Sequence, residues 1–246
     1  MRCMSLTPFR TRMPRGGIKC HRIVADDGCY ASNARSGAIK GHGAYRGNVA
    51  LLRLRCRGED KVGRPWHHRV MRQLLLLRHA KSSWDDASLS DKDRPLNQRG
   101  HAAAATMRRA IRDLGLVPDL IMVSTARRTL QTLEALEPWD ETPLIEPHDS
   151  LYLADPARIL AALHSVAETV RSVMVIGHNP GLHDLALLLV GTKAIDDASP
   201  AVSALTEGFP TCALAEFTIA GSWWDLRAGG GHLVRFLTPR MLSAGG

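Results

Sequence analysis

The sequence predicts an α/β fold of three layers, in which helices cover both faces of a mostly parallel central sheet. From Met71 onward, short continuous apolar runs alternate with stretches of helical periodicity. Such runs indicate strands buried on both faces, because a half-exposed strand would alternate apolar and polar side chains. Three of the runs pass directly into polar clusters, in LLLLRHAKSS, LIMVSTARRTLQT and VMVIGHNPG. This pattern predicts a sheet whose inner strands end in functional side chains.

The predicted elements alternate along the chain. We expect inner strands at Leu74–Leu77, Leu120–Val123 and Val173–Ile176. We expect helices at Arg99–Leu114, Ala126–Leu136, Pro156–Ala167 and Leu182–Val190. Asp155 is a suitable N-cap for the third helix, with proline at its first position. The segments CALAEFTI, WWDLRAG and GHLVRFLTPR are predicted as strands joined by tight turns at the sheet edge.

Residues 1–70 differ from the rest of the chain in charge and in pattern. They hold 15 of the 32 Lys and Arg residues and 4 of the 24 Asp and Glu residues, and they show no sustained periodicity. Such a segment buries too little apolar surface to offset its ordering entropy, so we predict a basic, disordered extension followed by a domain at 71–246. The alternatives are an upstream extension with Met71 as the natural start, a nucleic-acid-binding arm and a targeting peptide. We favour the first.

The composition argues against several classes of protein. Because the excess of positive charge lies before Met71, it does not indicate a nucleic-acid-binding domain, and we do not expect nucleic acid as a partner. No apolar run approaches the roughly 20 residues of a membrane span, so we expect no membrane association. No cysteine pair has the spacing of zinc ligands, and only Cys212 lies beyond residue 70. A lone domain cysteine fits a reducing compartment, which favours a cytoplasmic protein.

The polar clusters at the strand ends predict one anion-binding crevice. Ligands of open α/β sheets bind outside the carboxyl ends of the strands, so Arg78, His79, Arg128 and His178 should converge. Two guanidinium groups offer forked, permanently charged donors that match phosphate oxygens. A histidine among cations is favoured in its neutral form near pH 7, and a neutral imidazole can act as a nucleophile. This combination indicates phosphate chemistry.

Two predicted helix starts would add to the positive potential of the crevice. In GHNPG, Asn179 is expected as an N-cap and Pro180 as the first helical residue. STARRTLQT is expected to start a helix with a Ser or Thr cap, so that Arg128 lies in the first turn. A helix N-terminus carries partial positive charge, which favours a bound anion.

Five separated motifs, LRHAKS, STARRTLQT, IGHNPG, PTCALAEF and FLTPR, resemble in their order those of the histidine phosphatase superfamily. Within that superfamily the chain is similar to the compact phosphohistidine phosphatase branch, the SixA type. The resemblance covers about residues 71–240 and leaves out residues 1–70. It implies the phosphoglycerate mutase-like fold, an α/β/α sandwich with a mostly parallel sheet.

The resemblance also implies roles for the four crevice residues. His79 would be the nucleophile that takes the phosphoryl group, and Arg78, Arg128 and His178 would complete the phosphate pocket. Arg128 is preferred to Arg127 because the family's arginine lies four positions after the serine of STARR. Water would hydrolyse the phosphohistidine in a second step. No metal or other cofactor is expected, since the arginines and the second histidine supply the charge stabilisation.

The chain departs from the family pattern in two places. Ala80 stands where the superfamily usually has glycine, a change that the RHAKS branch tolerates. Many members also carry a general acid between the second arginine and the second histidine. Here Glu141, Glu146, Asp149 and Asp155 are candidates, and spacing does not choose among them. When phosphohistidine is the substrate, the leaving group is its imidazole, which departs more easily than an alkoxide. A strong acid is therefore not required for this substrate.

The predicted function is a metal-independent phosphatase that hydrolyses phosphohistidine on a protein. The connection from Thr132 to Gly177 is too short for a large lid, and an open pocket would admit a phosphorylated side chain of a protein. A phosphomonoesterase that acts on a small phosphorylated metabolite with the same four residues is the main alternative. A nucleic-acid-binding protein that uses residues 1–70 is less favoured. We expect a monomer.

Overall fold

The computed structural model describes residues 71–192 and 199–244. The predicted extension at residues 1–70 lies outside the described residues, so the domain boundary at Met71 stays a prediction. The strands are β1 (Met71–Arg78), β2 (Leu120–Ser124), β3 (Leu144–His148), β4 (Ser172–Gly177), β5 (Leu214–Ala220) and β6 (Gly231–Leu237). The helices are α1 (Gln98–Asp113), α2 (Arg127–Leu136), α3 (Pro156–His164), α4 (Gly181–Val190), α5 (Pro200–Glu207) and α6 (Pro239–Ala244).

The six strands form one mixed sheet in the order β3-β2-β4-β1-β5-β6. The pairs β3–β2, β2–β4 and β4–β1 are parallel, and β5 and β6 continue the sheet in antiparallel orientation. The carboxyl ends of β1, β2 and β4 therefore meet at one edge. The predicted mostly parallel α/β sheet is confirmed.

Two apolar layers cover the faces of the sheet. Leu74 and Leu76 of β1 face a core that includes side chains of α3, α4 and α5, whereas Leu75 and Leu77 face a core built with α1 and α2. All four leucines are fully buried, and complete burial of each contributes about 1.5–3 kcal/mol. Because both faces of β1 are covered, every position from Leu74 to Leu77 is apolar, and the sequence shows an uninterrupted apolar run.

The predicted strand over WWDLRAG is wrong. Residues Trp223–Asp225 form a single turn of 3-10 helix between β5 and β6. The Trp223 ring is fully buried, and its indole N–H donates to the Val170 carbonyl oxygen at 2.8 Å. Its backbone N–H donates to the Glu168 carboxylate at 3.2 Å. These bonds hold the segment over the α3–β4 connection, where it cannot extend the sheet.

The structure differs from several smaller expectations. The third helix ends at His164 rather than Ala167, although Asp155 caps it as predicted by accepting from the Arg158 N–H. The second helix has Ala126 at its N-cap position and no side-chain cap. Strand β5 lies inside the sheet rather than at its edge. Strand β3 and helices α5 and α6 were not individually predicted. None of the helices in the described part of the chain is long and apolar enough to cross a membrane.

Glycine is required where α4 begins. A Cβ atom on Gly181 would lie 1.8 Å from the Ala154 carbonyl oxygen, a backbone atom that cannot move aside on its own. The resulting close approach fixes the start of α4, and with it the β4–α4 turn that carries His178.

We expect Gly181→Ala to lower the free energy of unfolding by about 3 kcal/mol, because the backbone must shift to admit the methyl group. Urea denaturation of the variants measures this loss. Gly177→Ala is the matched control, since its Cβ would make only ordinary contact with the Leu182 side chain, at 3.4 Å and beyond. Equal losses in the two variants would contradict the close-approach argument.

Candidate active site

Backbone hydrogen bonds fix the segment that follows β1. The His79 N–H donates to the Gly177 carbonyl oxygen at 3.1 Å, which ties it to the end of β4. The Cys212 N–H lies 3.1 Å from the carbonyl oxygens of both Arg78 and His79. The Ala80 N–H donates to Thr132 Oγ1 at 3.0 Å. The backbone under the predicted nucleophile is therefore held from three directions.

His79 has a defined tautomer. Its Nδ1 atom lies 2.7 Å from the Ala80 carbonyl oxygen, which can only accept a hydrogen bond. Nδ1 therefore carries the proton, and Nε2 presents an unprotonated lone pair. Burial, together with the charges of Arg128, Arg78 and Arg94, lowers the pKa of His79 to about 4, although the bond to Ala80 opposes this shift. Near pH 7 the ring is thus neutral, with Nε2 available as a nucleophile.

His178 stands beside His79, with ring centroids 5.1 Å apart. Its Nδ1 lies 3.3 Å from Nη2 of Arg128, and its Nε2 lies 2.8 Å from Oγ of Ser124. Because a guanidinium can only donate, Nδ1 accepts and Nε2 carries the proton toward Ser124. Burial is the main cause that lowers the pKa of His178 to about 3, followed by the charges of His79 and Arg128. This ring is also neutral near pH 7.

Both predicted arginines lie beside the histidines. Arg128 occupies the first turn of α2, is 3% exposed and contacts His178, whereas Arg127 is exposed. Arg78 ends β1 and donates from Nη1 to the Phe209 carbonyl oxygen at 2.8 Å. Its charge contributes to the lowered pKa of both histidines. The structure thus brings all four predicted residues together at the carboxyl edge of the sheet.

A cavity of about 840 Å³ opens beside the histidine pair, and Arg78 forms part of its wall. The buried rings of Phe209 and Phe236 line it, and the exposed Lys81, Arg99 and Arg240 give it further positive charge. His79 and His178 are not among its lining residues. The cavity therefore offers room beyond the four predicted residues, on the side of Arg78.

The four candidate acids have other partners or lie apart from the histidines. Glu146 contacts His148, and Asp155 caps α3. Asp149 accepts from Lys92 at 2.7 Å and from Thr125, and Glu141 is exposed. Among the described residues, none of the four is hydrogen-bonded to the predicted site residues. The geometry of the described residues therefore assigns the role of general acid to none of the four.

Three further residues contact the site, and the sequence motifs predicted no role for them. Asp91 lies on a one-turn 3-10 helix between β1 and α1, and its carboxylate accepts from Arg128 Nη2 at 3.0 Å. Tyr152 donates to Asp91 at 2.7 Å and sets its ring edge-on to His178. Ser124, the serine of STARR, accepts a hydrogen bond at Oγ from Nε2 of His178 at 2.8 Å. No local spacing signals Asp91 or Tyr152, because long connections bring them to the site.

We expect both site histidines to stay neutral well below the usual histidine range. With a pKa of about 4, His79 would be about 1% protonated at pH 6, whereas a histidine with an ordinary pKa would be about three-quarters protonated. Its ring signals in an NMR titration should stay constant between pH 8 and pH 5.5, and those of His178 likewise. Spectra of His79→Asn and His178→Asn assign the signals. A midpoint near 6.5 for His79 would contradict the electrostatic account.

The chain has relatives among known proteins. The family model of the histidine phosphatase superfamily (branch 1) matches residues 74–149. An uncharacterized protein of Mycobacterium tuberculosis is 33% identical over 167 residues, which cover 67% of this chain and 100% of the relative. A structure from Agrobacterium tumefaciens, provisionally assigned as the phosphohistidine phosphatase SixA, is 32% identical, with 68% of this chain and 98% of that one covered and a TM-score of 0.57.

A second solved structure is that of the protein histidine phosphatase SixA complexed with tungstate. It is 25% identical to this chain, and the alignment covers 69% of this chain and 99% of the SixA chain, with a TM-score of 0.56. The similarity therefore extends well beyond the residues that the family model matches. The chain therefore belongs to the histidine phosphatase superfamily, in its SixA-type branch, and is a phosphatase of that family.

Proposed function

We propose that this phosphatase hydrolyses phosphohistidine on a protein, through a phosphoryl-enzyme intermediate on His79 and without a metal. The observation that carries the proposal is the unprotonated Nε2 of a buried, neutral His79 beside Arg78, Arg128 and His178. The SixA proteins among the structural relatives support the same substrate class.

The first chemical step transfers the phosphoryl group. The Nε2 lone pair of His79 forms a bond to phosphorus, and the bond from phosphorus to the substrate's ring nitrogen breaks with its electron pair. When the other ring nitrogen of the substrate is already protonated, the leaving group departs as a neutral imidazole. The guanidinium groups stabilise the charge on the phosphoryl oxygens throughout. No proton from the enzyme and no metal charge is needed in this step.

The second step releases phosphate. Phosphorylated His79 keeps its proton on Nδ1, held by the Ala80 carbonyl oxygen, so the ring is activated as a leaving group. Water attacks phosphorus, the N–P bond breaks, and the electron pair returns to Nε2. The hydrogen bond that orients the nucleophile therefore also prepares its departure.

The surroundings of the histidines favour phosphohistidine over a phosphate ester. An alkoxide leaving group needs a proton donor, yet none of the four candidate acids is hydrogen-bonded to the described site. The carboxylate that does meet the site, Asp91, is ionised, since hydrogen bonds from Tyr152 and Arg128 and the charge of Arg128 outweigh the burial that would raise its pKa. An ionised carboxylate is a poor acid, whereas an imidazole leaving group does not require one.

A small phosphorylated metabolite is the second candidate substrate. The cationic cavity beside Arg78 has the volume of small-molecule sites, which favours this alternative. The nucleic-acid-binding hypothesis depends on residues 1–70, which lie outside the described residues.

A substrate panel tests the proposal. We expect kcat/KM for a phosphohistidine-bearing protein to exceed that for phosphosugars and nucleotides by at least about 100-fold. Activity should survive a chelator and be lost in His79→Ala, because the nucleophile is gone. Faster turnover of a metabolite would overturn the assigned substrate class, and full activity of His79→Ala would overturn the mechanism.

Two neighbouring arginines give a matched pair of variants. We expect Arg128→Ala to lower kcat/KM by about 100-fold or more, as for other lost electrostatic donors, and Arg127→Ala to change it by less than about twofold. Steady-state kinetics on the preferred substrate measures both. Equal effects would show that the buried guanidinium has no special part in catalysis.

A further inference from the structure

We infer that Asp91 is an internal counter-ion that occupies Arg128 in the ligand-free enzyme and is displaced from it by the phosphoryl group. Asp91 thereby limits the affinity of the site for inorganic phosphate, the product. The inference rests on the proposed function, since it assumes that phosphate binds at Arg128.

Three of the five N–H groups of Arg128 already have acceptors, and two of these three contact Asp91. Its Nη2 carries two N–H groups, and it contacts two acceptors: Asp91 Oδ2 at 3.0 Å and His178 Nδ1 at 3.3 Å. Nη1 donates to the backbone carbonyl oxygen of Asp91. Asp91 therefore engages both ends of the guanidinium fork. A phosphoryl oxygen that accepts from Nη2 must replace one of its two partners.

Asp91 is the partner that can leave. The His178 ring is 2% exposed, and its other nitrogen is bound to the fully buried Ser124. The Asp91 side chain is 44% exposed and belongs to a single 3-10 turn with no buried residue. Movement of this turn disturbs no apolar core. Replacement of a carboxylate by a phosphoryl oxygen also leaves the charge of the buried guanidinium compensated.

A second arginine can hold Asp91 after it is displaced. Arg94 donates from Nη1 to Asp91 Oδ1 at 2.9 Å, on the carboxylate oxygen that Arg128 does not use. Arg94 is itself fixed by bonds to Ser82 Oγ and the Ser83 carbonyl oxygen. The carboxylate can therefore swing away from Arg128 while it keeps one ion pair.

The charge of Asp91 and its position on Arg128 both lower the affinity of the site for phosphate. The charges of Arg78 and Arg128 act on both neutral histidines, that of Arg94 acts on His79, and Asp91 supplies the opposing negative charge. An ionised carboxylate competes with phosphate for Nη2 and also repels a dianion that binds nearby. A residue that only oriented Arg128 would have the opposite effect, because its loss would weaken phosphate binding.

Phosphate affinity of the full-length protein distinguishes the two roles. In isothermal titration calorimetry with inorganic phosphate, we expect Asp91→Asn to bind about tenfold more tightly than the wild type. Asp86→Asn is the matched control from the same loop, because Asp86 contacts only Ser88 among the described residues, and its affinity should not change. Unchanged or weaker binding by Asp91→Asn would overturn the inference.

Tyr152→Phe provides a second variant that keeps the carboxylate. It removes the hydrogen bond that holds Asp91 Oδ2 in place, so we expect phosphate to bind about two- to threefold more tightly. Weaker binding in this variant would also count against displacement. A wild-type enzyme that binds phosphate and hydrolyses phosphohistidine, without tighter binding in Asp91→Asn, refutes only the counter-ion. A wild-type enzyme that does not hydrolyse phosphohistidine refutes the proposed function.

Discussion

The hydrogen bond from His79 Nδ1 to the Ala80 carbonyl oxygen is the interaction on which the rest of the site depends. It decides which ring nitrogen carries the proton, and so which one is the nucleophile in the proposed mechanism. The geometry of this bond is fixed because the backbone of Arg78, His79 and Ala80 is itself hydrogen-bonded, to the Cys212 N–H, to the end of β4 and to Thr132. The imidazole is thus oriented by backbone at the end of β1, a strand whose leucines are buried on both faces of the sheet.

Two neutral histidines beside cations have a consequence for stability. A histidine of the unfolded chain has a pKa of about 6.5, whereas His79 in the fold has a pKa of about 4. Between these values the unfolded state binds more protons, so the free energy of unfolding decreases as the pH falls through this window. His178, with a pKa of about 3, adds to the same trend. The neutral state of His79 near pH 7, on which the proposed mechanism depends, is therefore coupled to a lower free energy of unfolding at acid pH.

The sequence predicted the parts of the site that depend on local pattern and on general topology. LLLLRHAKSS contains both a doubly buried strand and the residues at its end, and parallel strands bring such ends together. Asp91 and Tyr152 could not be predicted in this way, because only tertiary contacts with Arg128 and His178 give them a role. The strand predicted at WWDLRAG failed for the same kind of reason, since bonds to Val170 and Glu168 override the local preference.

Localisation of a transient phosphate on the enzyme tests the central claim most directly. The enzyme would be mixed with substrate, quenched rapidly in alkali, and examined by mass spectrometry and phosphorus NMR. The account predicts one acid-labile phosphate on Nε2 of His79, formed faster than steady-state turnover. Phosphate on Nδ1, on another residue, or on no residue during rapid turnover would contradict it.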